Sequence, residues 1–121
     1  MSKAKPHERS ASERRKFERV DIGHNAHVTV LGAGGEKLGV LMQLGRGGFM
    51  MAPRKPYTKD GKTHQMTIHE PDEAIHVEVQ ARVLYSDPRF VGFEFVELNP
   101  DAAVEIGIII GKHYETRHDT P

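Results

Sequence analysis

A chain of 121 residues without cysteine has room for one domain with a modest core, and it excludes disulfides, zinc–thiolate centres and cysteine nucleophiles. Its formal net charge is zero but unevenly placed: residues 1–19 carry seven basic and three acidic side chains, so the rest of the chain is acidic by the same excess. The charged start lacks the apolar stretch of a signal peptide, and residues 106–110 are too short a run to span a bilayer. The expectation is a cytoplasmic protein with no membrane insertion, which the absence of cysteine also fits.

In chain order, residues 1–13 read as a flexible polar and basic arm, residues 14–117 as one domain, and residues 118–121 as a tail. From Val20 the pattern turns β-like. Residues 26–31 alternate in part and are rich in β-branched side chains, then Gly32, Gly34 and Gly35 mark a turn. Residues 37–42 form a second expected strand, residues 45–48 (Gly-Arg-Gly-Gly) a turn, and residues 49–52 a short third strand. Residues 53–62 are a polar loop, followed by an alternating strand over 64–69.

Ile75, Val77, Val79, Ala81 and Val83 stand at strict period two, the clearest half-buried strand in the chain. A turn at residues 86–89 and a return over 90–96 make a hairpin. Asn99, Pro100 and Asp101 supply an N-cap, a first-turn proline and a charge matched to the helix dipole. Ala103, Ile106, Ile110 and Tyr114 then share one helical face. The sum is a mainly β protein: a six-stranded antiparallel β-barrel, a C-terminal α-helix and a basic N-terminal arm.

Chemistry concentrates in two segments. In the first, Arg14, Arg15 and Arg19 surround Phe17, and an extended backbone projects Arg15, Phe17 and Arg19 to one side. Guanidinium groups pair bidentately with phosphate and with the O6/N7 edge of guanine, and they stack on bases. The second segment runs over residues 43–48, Gln-Leu-Gly-Arg-Gly-Gly. Its glycines permit positive φ, close approach of a ligand to backbone, and an anion-binding nest of amides. A glycine hairpin turn with no ligand is the simpler explanation of that segment by itself.

Taken with the hairpin that ends in Val91-Gly92-Phe93-Glu94-Phe95, these segments resemble the PilZ domain family over roughly residues 13–115. The resemblance implies a six-stranded barrel that binds the bacterial second messenger cyclic di-GMP. The family's R-x-x-x-R motif is matched by Arg15 and Arg19. Its [D/N]-x-S-x-x-G motif is matched at Gly48, with Gln43 in place of the acid or its amide and Gly45 in place of serine. The resemblance further implies that Arg14 accompanies binding of two stacked ligand molecules, and that Tyr85 stacks on a guanine. Tyr85 reads equally as a barrel-rim aromatic packed on the helix.

The function expected is therefore cyclic di-GMP binding by a stand-alone effector that needs no cofactor. Its arginine arm becomes ordered on the ligand and signals to an unidentified downstream protein. The expected ligand contacts are Arg14, Arg15, Arg19, Gln43, Gly45, Gly48 and Tyr85. A ligand-blind adaptor working through protein–protein contact is the main alternative. Non-specific gripping of nucleic acid by the basic arm is weaker, because the body is acidic and shows no row of aromatics.

No enzyme is expected. The serines are Ser2, Ser10, Ser12 and Ser86, and no nucleophile elbow, P-loop or paired-carboxylate motif is present. Glu70, Asp72 and Glu73 read as a solvated loop around Pro71. No metal site is expected either: His24 and His27 fall in an expected strand on opposite faces, and His64 with His69, and His113 with His118, lack ligand spacing.

Overall fold

The computed structural model describes residues 19–119, with side chains as far as Tyr114. Seven strands are followed by one helix. They are β1 (Arg19–Asp21), β2 (Thr29–Gly32), β3 (Lys37–Gly45), β4 (Gly48–Pro53), β5 (Thr63–Glu70), β6 (Ile75–Ser86), β7 (Val91–Phe95) and α1 (Pro100–Asp119). All pairings are antiparallel. The order β3-β2-β5-β6-β7-β4 closes on itself through β3–β4, so six strands form the barrel expected from the sequence. The seventh is additional: β1 lies outside the closed ring, paired to β3 alone.

The barrel interior is apolar. Val30, Leu41, Leu44, Met51, Met66, Ile68, Val77, Val83, Val91 and Phe93 are all buried. Their inward alternation is the period-two pattern of the sequence. In β6, Val77, Val79, Ala81 and Val83 point inward while His76, Glu78 and Gln80 face out. Phe49 and Phe93 stack within the core with centroids 5.0 Å apart.

The register shifts at three places, one of them between Val30 and Leu31 in the β2–β3 ladder, and the other two are β-bulges that turn site residues outward. In β3 the register shifts between Leu41 and Gln43, and in β6 between Val83 and Tyr85. Continued alternation would drive Gln43 into the core behind Gly39 and Leu41, and Tyr85 behind Ala81 and Val83. One extra residue in each strand moves them outward instead. Tyr85 is 47% exposed, and Gln43 is half-buried.

Asn99 caps α1 as its residue type predicts: its side-chain oxygen accepts from Ala102 N–H at 2.8 Å. The helix buries Ala102, Ile106, Ile109 and Ile110. Ala103, expected on the buried face, is half-buried because the face turns toward Ala102 and Ile109. Among the described residues no helix is long and apolar enough to cross a membrane.

The helix is also tied by charge. Glu70 was expected in a solvated loop, yet it ends β5 with no solvent exposure. Its carboxylate accepts from Lys112 Nζ at 2.8 Å and from Glu73 N–H. Asp72 also receives Lys112, at 3.1 Å. Burial alone would lower the Lys112 pKa, but the hydrogen bonds to these two carboxylates outweigh it and hold the pKa above its ordinary value.

His24 and His27 do not lie in a strand. A 3-10 turn spans His24–Ala26, and His27 closes it in the left-handed region at φ 57°. Gly23, at φ 82°, admits the chain to that turn.

Candidate functional site

The outer face of the barrel carries the site. Val20 of β1 and Leu44 of β3 are paired and both point inward, so their neighbours Arg19, Asp21, Gln43 and Gly45 face outward. Arg19 stands opposite Gly45, and Asp21 opposite Gln43. Across β3 lies β4, with Gly48 and Met50 outward. Those two pair with Glu94 and Gly92 of β7, and Gly92 pairs with Tyr85 of β6.

This face is a concavity of about 640 Å³, lined among others by Arg19, Gln43, Gly45, Gly48, Tyr85 and Gly92. Its floor is hollow because Gly45, Gly48 and Gly92 carry no side chains. At Gly48 the absence is obligatory, since a Cβ there would overlap the Phe93 carbonyl oxygen. The volume lies within the range of small-molecule sites.

Five of the seven expected ligand residues thus converge: Arg19, Gln43, Gly45, Gly48 and Tyr85. Arg14 and Arg15, with Phe17, lie outside the described residues. Tyr85 is on the rim, with its ring lying on Gly92. The glycines at positive φ are Gly23, Gly35 and Gly61 and none belongs to the 45–48 turn, so the simpler reading of that turn holds over the nest its glycines would permit. Gly48 is there for close strand approach.

Lining residues that the sequence reading did not name as ligand contacts include Arg46, Met50, Leu84, Gly92 and Glu94. Arg46 is an exposed second guanidinium at the tip of the glycine turn, beside Gly107 of α1. Its place inside the second segment was the available signal. Glu94 adds a carboxylate, but Arg82 neutralises it with Nη2 at 2.8 Å and Nε at 2.9 Å. Arg19 and Arg46 bring two further guanidinium groups to the concavity. Gln43 Nε2 donates to Asp21 Oδ1 at 2.9 Å, a pairing that only the β1–β3 register reveals.

The chain's face offers cations, an amide, bare backbone and one flat aromatic. Together these suit an anionic ligand with an aromatic ring. Among the described residues no cluster of three metal-ligating side chains occurs.

A family model described as PilZ domain matches residues 13–110. Solved structures with a similar fold include the PilZ domain with c-di-GMP of YcgR from Escherichia coli, at 14% identity and TM-score 0.60, covering 84% of this chain and 92% of that one. The Bacillus subtilis inhibitor of motility MotI/DgrA is 16% identical with TM-score 0.63, covering 86% of this chain and 51% of that one. The Legionella uncharacterized protein Lpg0364 is 10% identical with TM-score 0.60, covering 83% and 97%. At these identities the structural likeness speaks to the fold. No curated protein sequence matches the chain.

Proposed function

Because the chain belongs to the PilZ domain family, we propose that it binds cyclic di-GMP in the glycine-floored concavity and relays the bound state to a partner protein in the bacterial cytoplasm. The observation that carries this reading is the convergence of Arg19, Gln43, Gly45, Gly48 and Tyr85 on one concave face from four different strands. The fold is shared with a YcgR domain whose structure holds c-di-GMP.

Each residue has a matching role. Arg19 pairs with a phosphate or with the O6/N7 edge of a guanine. Tyr85 offers its exposed ring for stacking. Gly45 and Gly48 let the ligand approach the backbone. Arg15 lies four residues before Arg19, a reach of at most about 14 Å along the chain. Arg14 and Arg15 therefore come within range of a ligand held by Arg19, and the ligand recruits them over the barrel face. With Arg14 engaged, a second stacked ligand molecule is accommodated. The changed position of this segment is the surface that a partner reads.

The domain binds and signals without a reaction of its own. A ligand-blind adaptor is the second reading, favoured by Gly45, which offers no hydroxyl where the family's motif has serine.

Amide chemical-shift mapping tests the proposal. Saturating cyclic di-GMP should move the signals of residues 14–19, 43–48, 85 and 92. An unchanged spectrum would leave the adaptor reading in its place.

A further inference from the structure

We infer that Asp21 is a positioning residue: its carboxylate fixes which way round the Gln43 amide stands, and so makes Gln43 a hydrogen-bond acceptor for the N–H edge of a guanine. This inference rests on the proposed cyclic di-GMP site and adds how that site reads the base.

A side-chain amide has a donor end and an acceptor end, and an unrestrained glutamine offers a ligand either one. An ionised carboxylate can only accept. Asp21 stands directly opposite Gln43 in the β1–β3 register, and Gln43 Nε2 donates to Asp21 Oδ1 at 2.9 Å. Turning the amide over would set its carbonyl oxygen against the carboxylate, two acceptors with no proton between them. The amide therefore has one stable orientation. Its nitrogen faces Asp21, and Oε1, on the other arm of the planar fork, faces away.

The two residues do not share the concavity equally. Gln43 lines it, whereas Asp21 stands behind on the outlying strand and is absent from the lining. What a ligand meets at this position is a carbonyl oxygen. Guanine places two donors side by side on its Watson–Crick edge, N1–H and the exocyclic N2 amine. A single carbonyl oxygen can accept from both at once, so a base that keeps N1–H but lacks the N2 amine forfeits one of the two hydrogen bonds. Adenine offers a bare ring nitrogen at N1, whose lone pair opposes the carbonyl. The O6 side of guanine, itself an acceptor, is turned away by the same logic. Arg19, two residues before Asp21 on the same outward face, offsets the negative charge that Asp21 brings near an anionic ligand.

The bulge between Leu41 and Gln43 makes this possible. It moves Gln43 from the core phase to the outer face, where Asp21 can reach it. A glutamine free in solvent at this position would read no base in particular.

Calorimetric titration of the full chain with cyclic di-GMP and with its inosine analogue cyclic di-IMP, which lacks the N2 amine, tests the inference. The wild type should prefer cyclic di-GMP by about two- to tenfold, the value of one net hydrogen bond. Asp21→Asn, which can present either a donor or an acceptor to Gln43, should bring the ratio to about one. Asp21→Ala and Gln43→Ala should do the same. Both positions are at the surface, and unchanged thermal melting will show that the variants fold. A wild type that binds cyclic di-GMP with a ratio of one, or an Asp21→Asn ratio equal to that of the wild type, overturns the inference and leaves the binding function standing. A wild type that binds neither ligand overturns the function itself, and the inference with it.

Discussion

The Tyr85 ring occupies the space beside Gly92, its cross-strand partner, where a Cβ would stand, and a Cβ at Gly92 would overlap the ring. Gly92 therefore sets the height at which Tyr85 stands over the concavity. Tyr85 is nearly half exposed and can swing away, so Gly92→Ala displaces the ring at little cost in stability. The expected result is a thermal midpoint near that of the wild type with cyclic di-GMP affinity weakened about three- to tenfold, the size of one aromatic contact. Calorimetry and melting on the same preparation check it; an unchanged affinity would remove Tyr85 from the site.

Gly48 has a different constraint. A Cβ there meets the backbone carbonyl of Phe93, which cannot rotate away, so β4 and β7 must separate. Gly48→Ala should destabilise the fold by about 1–3 kcal/mol in urea unfolding. Gly47→Ala is the control, because nothing lies within 4 Å of its Cβ position and its φ is not positive. It should stay within about 0.5 kcal/mol of the wild type.

Lys112 holds α1 against the end of β5 through Glu70. Lys112→Met leaves a carboxylate of zero exposure with the Glu73 N–H as its hydrogen-bond donor. Breaking a fully buried pair costs about 3–5 kcal/mol, and the partial exposure of Lys112 reduces this to about 2 kcal/mol. The double variant Glu70→Leu/Lys112→Met should recover most of the loss, since it removes the stranded charge. Urea unfolding of both variants measures the difference.

Stability should fall on mild acidification. Burial, and then the Lys112 charge, hold the His113 pKa below its ordinary 6.5, although Glu70 and Asp72 pull the other way. The unfolded chain therefore takes up the proton first. The stabilisation is complete above about pH 6.5 and is lost as pH drops through the lower folded value. His113→Leu, which cannot titrate, should flatten this part of the pH profile of the urea midpoint. Equal slopes for the two proteins would contradict the assignment.

Most of the fold could be read from the chain, because barrel strands advertise themselves by alternation. Residues 75–83 did so, and the hairpin into Val91–Phe95 followed. Asn99 announced the helix start and caps it. What escaped depends on partners distant in sequence. A three-residue strand such as β1 has too short a period to recognise, and its pairing with β3 is a tertiary fact. Glu70 looked like loop because its partner Lys112 lies 42 residues away. The bulges are the subtler loss. Gln43 and Tyr85 were singled out as site residues, but strict alternation would have buried both, and the extra residue that turns each outward has no signature of its own. Arg46 was overlooked within a segment read chiefly for its glycines.

The most direct test of the account is calorimetric titration of cyclic di-GMP into the wild type and into Arg19→Ala. Arg19 is exposed and sits at the edge of the barrel, so its loss should leave the melting temperature unchanged. Saturable binding by the wild type is expected, with an affinity at least about tenfold weaker in the variant, the size of a charge-assisted bidentate contact. Absence of heat from the wild type at high micromolar ligand, or equal affinities for the two proteins, would contradict it.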